Sequence, residues 1–450
     1  MEKIEIATSI AVCSTAKIKA IAKSASCVYT MICTGTRMPQ VNDSQLKRWA
    51  QVADDCGAAM LYADHWLTDA EGNVELRRCT DYQPGSLRDD FYFGDLILVR
   101  TDMMRRAIAQ MTQDYRAAGM YDLRLRLSRM GAIWHINEPL YSVSTEEESM
   151  TGERQFDYVD PRNRESQIEM EQAVTDHLKS IGAYLNPQYE QGDYGQRWPL
   201  EASVIIPVRN RKATIADAVK SALEQECDFE FNVIVVDNHS TDGTTQILEE
   251  INSPRLIHII PESKHLGIGG CWNVALRHEM CGKFAVQLDS DDLYSSPNTL
   301  QRIVDEFHNS NCGAVIGSYS LTDIALNPLP PGLIDHKEWT DSNGRNNALR
   351  INGLGAPRAF ATAVARRCAM PDVSYGEDYA MCLRISRQYR IGRIYDSLYL
   401  CRRWNGNTDA ALSHDAENRN NHYKDSLRTI ELRARIALNA AQKKHERKKH

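Results

Sequence analysis

The segments ASVIIPV (202–208), KATIADAVKSALEQE (212–226) and FNVIVVD (231–237) set the class of fold. The first and third are short apolar runs rich in β-branched residues. The middle one spaces Ile215, Ala218, Val219, Ala222 and Leu223 as i, i+3, i+4, i+7 and i+8, the pattern of a helix that covers one face of a sheet. The alternation continues through RLIHII (255–260), GGCWNVAL (269–276) and KFAVQLD (283–289). Strands that alternate with helices predict an α/β domain on an open, largely parallel sheet, whose buried strands need helical cover on both faces. Ligands of such sheets bind beyond the carboxyl ends of the strands. Those ends carry Pro207 to Asn210, then Asp237 and Asn238, then Asp289, Asp291 and Asp292, so polar residues from three strands are expected to meet in one crevice.

The run DSDD (289–292) packs three carboxylates into four positions. Like charges at that density raise one another's pKa unless a cation intervenes. Hard divalent ions prefer oxygen ligands and commonly combine one or two carboxylates with a substrate's phosphate oxygens, so the cluster predicts a metal-bridged diphosphate. The same residue types also make Asx-turns and helix N-caps, a bland role open to both DSDD and DNHSTDGT (237–244) because a helical pattern follows each.

Five ordered segments carry a resemblance: VIIPVRN (204–210), VIVVDNHSTDGT (233–244), KHLGIGGCWNVAL (264–276), FAVQLDSDDLY (284–294) and YGEDYAMCLRIS (375–386). In this order the chain resembles family 2 glycosyltransferases of the GT-A fold, a Rossmann-like, mostly parallel open sheet. The resemblance implies that Pro207, Asn210, Asp237, Asn238, Asp289 and Asp291 line the nucleotide sugar. It implies that Asp291 and Asp292 hold a divalent cation, Mn²⁺ or Mg²⁺, and that Asp378 is the general base with Glu377 beside it. An acceptor hydroxyl loses a proton as it attacks the anomeric carbon, and the leaving nucleoside diphosphate gains charge, so one base and one cation meet both needs. Acidic residues in a helix's first turn are also favoured by the macrodipole, the structural alternative for Glu377 and Asp378. The stretch 334–360 lies where such enzymes meet the acceptor, making His336, Trp339 and Arg358 candidates there. LCRRW (400–404) resembles the QxxRW motif of processive synthases, but Leu400 replaces the glutamine; Arg403 and Trp404 join the acceptor candidates. Asn238 stands where many family members have a second aspartate. The implied activity is inverting, non-processive transfer from a nucleotide-diphosphate sugar, a UDP-sugar foremost, to a hydroxyl of a glycan or glycolipid, as in polysaccharide biosynthesis.

The chain also repeats part of itself. CGAAMLYADHWLTD (56–69) resembles CGAVIGSYSLTD (312–323), and LRLRLSRMGAIWHINEPLYSV (123–143) matches MCLRISRQYRIGRIYDSLYLC (381–401) without a gap. A duplicated domain is expected, its first copy lacking a front half: residues 1–150 as a partial, degenerate GT-A-like domain, 151–200 as a helical linker, 201–410 as the glycosyltransferase domain, and 411–450 as a C-terminal helix with a basic tail. The linker stripe is Met170, Val174, Leu178, Ile181 and Leu185. The alignment sets Thr34, Gly35 and Thr36 against the acidic cluster and Gly119 and Met120 against Glu377 and Asp378, so the first copy is expected to be non-catalytic.

Composition bounds the alternatives. At 450 residues the chain has room for two or three domains, and 42 % apolar with 25 % charged residues is ordinary for a globular protein. With 53 basic against 60 acidic residues, the net charge of −7 argues against nucleic-acid binding. No run reaches the roughly 18 apolar residues of a membrane span, so a cytoplasmic location is expected, with peripheral association at the inner face of the membrane through the basic end KKHERKKH (443–450) as a further option. The 12 cysteines form no CxxC pair and are expected as reduced thiols. Two rival functions stand beside the transferase: a non-catalytic carbohydrate-binding scaffold, and a sugar nucleotidyltransferase suggested by TGTRMP (34–39). Donor, acceptor, linkage and oligomeric state are not encoded in any motif.

Overall fold

The computed structural model describes residues 3–144, 163–192, 194–195, 197–404, 406–407 and 412–448. The chain divides into two compact units, one comprising 1–184, 349–351 and 412–450, the other 185–348 and 352–411. No two of the twelve cysteines are bonded. Among the described residues no helix is long and apolar enough to cross a membrane.

In chain order the first unit contains β1 (Ile4–Ile6), α1 (Thr15–Ser24), β2 (Tyr29–Cys33), α2 (Asp43–Cys56), β3 (Met60–Thr68), β4 (Val74–Arg77), β5 (Leu96–Arg100), α3 (Thr101–Ile108), α4 (Gly119–Leu127), β6 (Ile133–Ser144) and α5 (Arg164–Ser180). Its sheet runs β1-β2-β5-β3-β4, with β6 added in parallel to β3. Two apolar clusters sandwich the strands: Ile32, Met60, Tyr62, Ile97 and Val99 face one side, and Met31, Leu61, Ala63 and Leu98 the other, the alternation that period-2 side chains impose.

The second unit continues with β7 (Ala202–Val208), α6 (Ile215–Leu223), β8 (Phe231–Asp237), α7 (Thr244–Glu250), β9 (Leu256–Ile259), α8 (Ile268–Arg277), β10 (Phe284–Gln287), β11 (Leu293–Tyr294), α9 (Thr299–Ser310), β12 (Ala314–Asp323), β13 (Pro328–Ile334), α10 (Gly344–Asn347), β14 (Arg358–Ala361), α11 (Thr362–Cys368), α12 (Glu377–Ser386) and β15 (Ile391–Arg403). The sheet order is β11-β15-β12-β14-β10-β7-β8-β9, with β13 on β12. The front half β10-β7-β8-β9 is wholly parallel, as the alternating sequence predicts. The back half is mixed, because β14 lies antiparallel between β10 and β12. The predicted stripe of α6 is buried at Ile215, Ala218, Val219 and Ala222.

The last helix, α13 (His414–Glu446), belongs to the first unit, as does α5, so the linker and the C-terminal helix are not free-standing segments. Asp425 of α13, paired within the helix to Arg428 at 2.8 Å, accepts from the Ser86 hydroxyl at 3.1 Å and lies 3.5 Å from Arg88 Nε. Gly85 permits this approach: a Cβ there would lie 2.2 Å from the Thr429 amide nitrogen. Residues 440–448 are exposed.

The two units share one framework. β2, β5, β3 and β6 pair with the same senses as β10, β14, β12 and β15. Each parallel pair carries a register shift at the same place, after Ala63 in β3 and after Ile316 in β12. Both hairpins that follow are closed alike: Asn73 donates its amide and side-chain nitrogen to Asp69 at 2.7 and 2.8 Å, and Asn327 does the same to Asp323 at 2.8 and 2.8 Å. In the first unit β1 pairs directly with β2, and no counterparts of α6, β8, α7 and β9 stand between them.

Phe284, fully buried at the start of β10, stacks on Phe307 of α9 with centroids 4.2 Å apart, and meets the Tyr194 ring edge-on at 5.1 Å. Phe284→Ala is expected to destabilise the second unit by about 3–5 kcal/mol, measured by urea denaturation of the full chain. A loss below about 1 kcal/mol would show that this contact does not hold the sheet to its helix.

Candidate functional site

The chemistry gathers where β7, β8 and β10 end. After β10 the chain turns through Asp289–Asp292. The Asp289 amide donates to the hydroxyl of fully buried Tyr399 at 2.8 Å, which anchors the turn to β15. Burial raises the Asp289 carboxyl above its ordinary range. Burial also pushes Asp292 well up, reinforced by the charges of Asp289 and Asp291. The expected mutual repulsion of this cluster is thus present.

Each acidic side chain has its own partner. Asp292 accepts from the Arg402 amide at 2.7 Å. Asp291 accepts from Trp404 Nε1 at 3.3 Å and Asn407 Nδ2 at 3.1 Å, and Arg211 Nε lies 3.6 Å away. These partners hold the carboxylates apart: the donor atoms of Asp289, Asp291 and Asp292 do not all come within 4.8 Å of one another, as a closed metal cage would require. The LCRRW segment therefore returns to the acidic turn through Arg402 and Trp404. Arg403 lies opposite Asp323 in the β12–β15 ladder.

A hydrogen-bonded bridge leads from the turn to α12. Gln287, buried at the end of β10, donates to both carboxylate oxygens of Asp289 at 2.9 and 3.0 Å. Its side-chain oxygen Oε1 accepts from Arg358 Nη1 at 2.7 Å and from the Arg358 backbone amide at 3.1 Å. Arg358 Nη2 reaches Asp378 Oδ2 at 2.5 Å. Asp378 Oδ1 accepts from the Tyr379 amide at 2.7 Å. The structure thus brings Asp289, Arg358 and Asp378 into one network and joins Asp291 to it through the charge of Asp289.

α12 is positioned from behind. Tyr379, Leu383 and Ser386, on one side of α12, are buried. Gly376, with φ +80°, turns the chain into the helix. The glycines of KHLGIGG serve packing: a Cβ on Gly269 would lie 1.8 Å from the Pro371 carbonyl oxygen and 3.0 Å from Glu377 Cβ, so only glycine lets α8 approach the acidic helix start. Glu377 is buried, and its Oε2 has no hydrogen-bond partner among the described residues. Burial, reinforced by the Asp378 charge, pushes Glu377 up to about 8, so it is chiefly neutral at pH 7.

The remaining predicted residues divide. Pro207 lies on β7, opposite Val236 of β8. Asn210 takes a left-handed conformation, φ +55°, and accepts from the Thr241 amide at 2.8 Å. Asp237 is fully buried; although burial opposes its charge, bonds from Ser240 and Thr245 hold its carboxyl below the ordinary range. Asn238 donates to the Leu266 carbonyl at 2.8 Å, and its Oδ1 is buried with no partner among the described residues. DNHSTDGT therefore does cap a turn, and Thr214 ties the first loop to the acidic one through the Ser290 carbonyl at 2.9 Å. His336 and Trp339 are not brought to the crevice surface. His336 is buried and paired with Glu338 at 2.9 Å, and the ring of Trp339 packs on Gly344. Sequence inspection missed Gln287, Arg211, Tyr399 and Asn407; the only signal for Gln287 was a polar residue one position before an apolar strand ends.

With this geometry described, comparison with known proteins is direct. The family model "Glycosyl transferase family 2" matches residues 203–369. Residues 203–369 belong to glycosyl transferase family 2. The chain is 41 % identical over 96 residues to the uncharacterized glycosyltransferase YfnE of Bacillus subtilis, covering 21 % of this chain and 24 % of that protein. It is 36 % identical over 117 residues to the poly(ribitol-phosphate) β-N-acetylglucosaminyltransferase TarS of Staphylococcus aureus, covering 24 % of this chain and 20 % of that one. It is 28 % identical over 187 residues to the Escherichia coli β-1,3-glucosyltransferase WfaP, covering 41 % and 69 %. The chain thus spans a quarter or less of the length of YfnE and TarS. The solved structure of S. aureus TarS 1–349 with UDP-GlcNAc aligns at 24 % identity with a TM-score of 0.42, over 51 % of this chain and 66 % of that one.

Among the described residues of the first unit, the polar bridge has no counterpart. The β2–β5 register pairs Ile32 with Ile97 where the family 2 domain has Gln287 beside Arg358, and both isoleucines are buried.

Glu377 gives a stability test. Its neutral form is native, while the unfolded chain titrates near the ordinary 4.5, so its contribution is fully present below pH 4.5 and is lost as pH rises through about 8. Glu377→Gln, which keeps the shape of the neutral acid, is expected to flatten the fall in thermal midpoint between pH 6 and 9, measured in chelator. Parallel midpoint curves for parent and variant would show that Glu377 is ionised in the native protein.

Proposed function

We propose that this protein is a metal-dependent, inverting, non-processive glycosyltransferase that moves a sugar from a nucleotide-diphosphate donor, a UDP-sugar foremost, to a hydroxyl of a glycan or glycolipid. The single observation that carries this is the Asp289–Gln287–Arg358–Asp378 bridge, which sets an acidic turn and a candidate base in one network inside a family 2 domain. Pro207, Asn210, Asp237 and Asn238 edge the crevice and are assigned to the nucleotide.

The acidic turn offers oxygen donors alone, which suit a hard divalent cation, Mn²⁺ or Mg²⁺, bound through one or two carboxylates and the donor's phosphate oxygens and not in a closed cage of three. Asp291 and Asp292 would hold it, and when bound it neutralises charge gathering on the departing diphosphate. Asp378 is assigned as general base. Arg358 Nη2 orients its carboxylate, and Glu377, raised by burial, lies beside it. Arg403 and Trp404 remain assigned to the acceptor side, and Arg358 moves from acceptor contact to positioning of the base. One base and one leaving-group site invert the anomeric centre without a covalent intermediate. The replacement of Gln287 and Arg358 by Ile32 and Ile97 supports a non-catalytic role for the first unit. Cytoplasmic action, with the exposed basic end of α13 meeting a membrane surface, completes the proposal.

The test is release of nucleoside diphosphate across UDP-, GDP- and dTDP-sugars with Mn²⁺ or Mg²⁺. Asp291→Ala and Asp378→Asn are each expected to lower turnover by about 10²–10⁴-fold while leaving thermal unfolding broadly intact. Full turnover in both variants would overturn the assignments. Binding without turnover in the parent would favour a carbohydrate-binding scaffold, and pyrophosphate release from a nucleoside triphosphate would favour a nucleotidyltransferase.

A further inference from the structure

The first unit contains a constellation that sugar transfer does not use. Asp64, Cys79 and His135 are buried, and their ligand atoms all lie within 4.8 Å of one another, the one such group among the described residues. They arrive from three places: Asp64 sits at the register shift of β3, His135 lies on the adjacent strand β6 opposite Tyr62, and Cys79 follows β4 by two residues. Irregular strand positions of this kind re-aim a side chain. His135 Nε2 is 2.8 Å from Asp64 Oδ1, and the Cys79 amide donates to the same oxygen at 2.8 Å. The imidazole is clamped by Tyr62, whose ring stacks on it at 4.8 Å and 10°. Tyr62 also donates its hydroxyl to the Thr80 carbonyl at 2.5 Å, fixing the loop that carries Cys79.

One nitrogen, one sulfur and one oxygen donor suit a borderline-soft cation, unlike the oxygen-only set of the second unit. Zinc bonds of about 2.0–2.3 Å in a tetrahedron place ligand atoms about 3.2–3.8 Å apart. That fits inside the observed envelope once the His135–Asp64 contact opens by roughly half an ångström. The outer carboxylate is already in place: Asp81 Oδ1 lies 2.8 Å from His135 Nδ1, the arrangement that fixes a metal-binding imidazole in its required tautomer. Charge agrees. A divalent ion balances the buried Asp64 carboxylate and a Cys79 thiolate, and the Asp81 carboxylate on the far side of the imidazole is 64 % exposed, so its charge stays solvated.

The second unit meets the same demand another way. Arg393 lies opposite Ile316 of β12 just as His135 lies opposite Tyr62 of β3, and Arg393 acts on the buried Glu338 carboxylate. A permanent guanidinium there is replaced in the first unit by an imidazole and a thiol. We propose that Asp64, Cys79 and His135 bind one Zn²⁺, with Asp81 orienting the imidazole and a water in the fourth position, and that this ion ties β3, β6 and the β4 loop together.

The test uses the tag-free full chain. Elemental analysis is expected to find about one zinc per chain after dialysis against excess Mg²⁺, which occupies oxygen-only sites. Cobalt substitution is expected to give a thiolate-to-cobalt charge-transfer band that is lost in Cys79→Ser and kept in Cys271→Ser. Asp81→Asn is expected to weaken zinc binding by about 10–100-fold. A parent chain without zinc and without the cobalt band overturns the proposal even if Cys79→Ser fails to fold. So does a band that survives Cys79→Ser, or an NMR spectrum in added zinc that still shows His135 as imidazolium.

Discussion

The guanidinium of Arg358 lies between two groups of carboxylates that would otherwise repel one another. It bonds Asp378 directly and reaches Asp289 through Gln287. Moving charges from water into a folded domain costs several kcal/mol per ion, and only close pairing with further hydrogen bonds offsets that cost. Gln287 provides both: its side-chain nitrogen satisfies Asp289 and its side-chain oxygen satisfies Arg358. Because Gln287 ends β10 and Arg358 begins β14, the sheet itself fixes the middle of this bridge. Removing Arg358 leaves the Asp378 carboxylate and the Gln287 side-chain carbonyl without the guanidinium they share.

The two units keep one framework with different side chains at the ends of its strands. The pairing senses, the register shift in the parallel pair and the Asp–Asn hairpin are common to both. What differs is the polar bridge, replaced by Ile32 and Ile97, and the acidic turn, replaced by Thr34, Gly35 and Thr36. Two buried apolar side chains fill the same sheet position without any ion pairing. The first unit instead groups the buried Asp64, Cys79 and His135, with exposed Asp81 beside them, around the pair of strands whose counterparts in the second unit carry Arg393.

The alternating fold and the repeat were legible because each is written in local patterns: apolar runs of strand length, a helical stripe at Ile215 to Ala222, and segments that align without gaps. The acidic turn and the Glu377–Asp378 pair were legible because their chemistry sits in contiguous residues at element ends. Gln287 was not, since one polar residue in an apolar strand has many structural uses. His336 and Trp339 were chosen from the composition of a connecting segment, which says nothing about side-chain direction, and the chain folds both inward. The Asp64, Cys79 and His135 group has no motif at all. Its members are separated by 15 and 56 positions and meet only because β6 pairs with β3 at an irregular register. The antiparallel entry of β14 was likewise invisible, being a matter of chain return and not of residue pattern.

The most direct measurement is a crystal structure of the protein soaked with Mn²⁺ and a non-hydrolysable UDP-sugar, with manganese located by anomalous scattering. The account predicts a manganese peak on Asp291 or Asp292, the diphosphate bound to it, and the anomeric carbon facing the Asp378 carboxylate across the same crevice. Manganese and nucleotide bound elsewhere, or bound at the acidic turn with Asp378 facing away from the sugar, would contradict it.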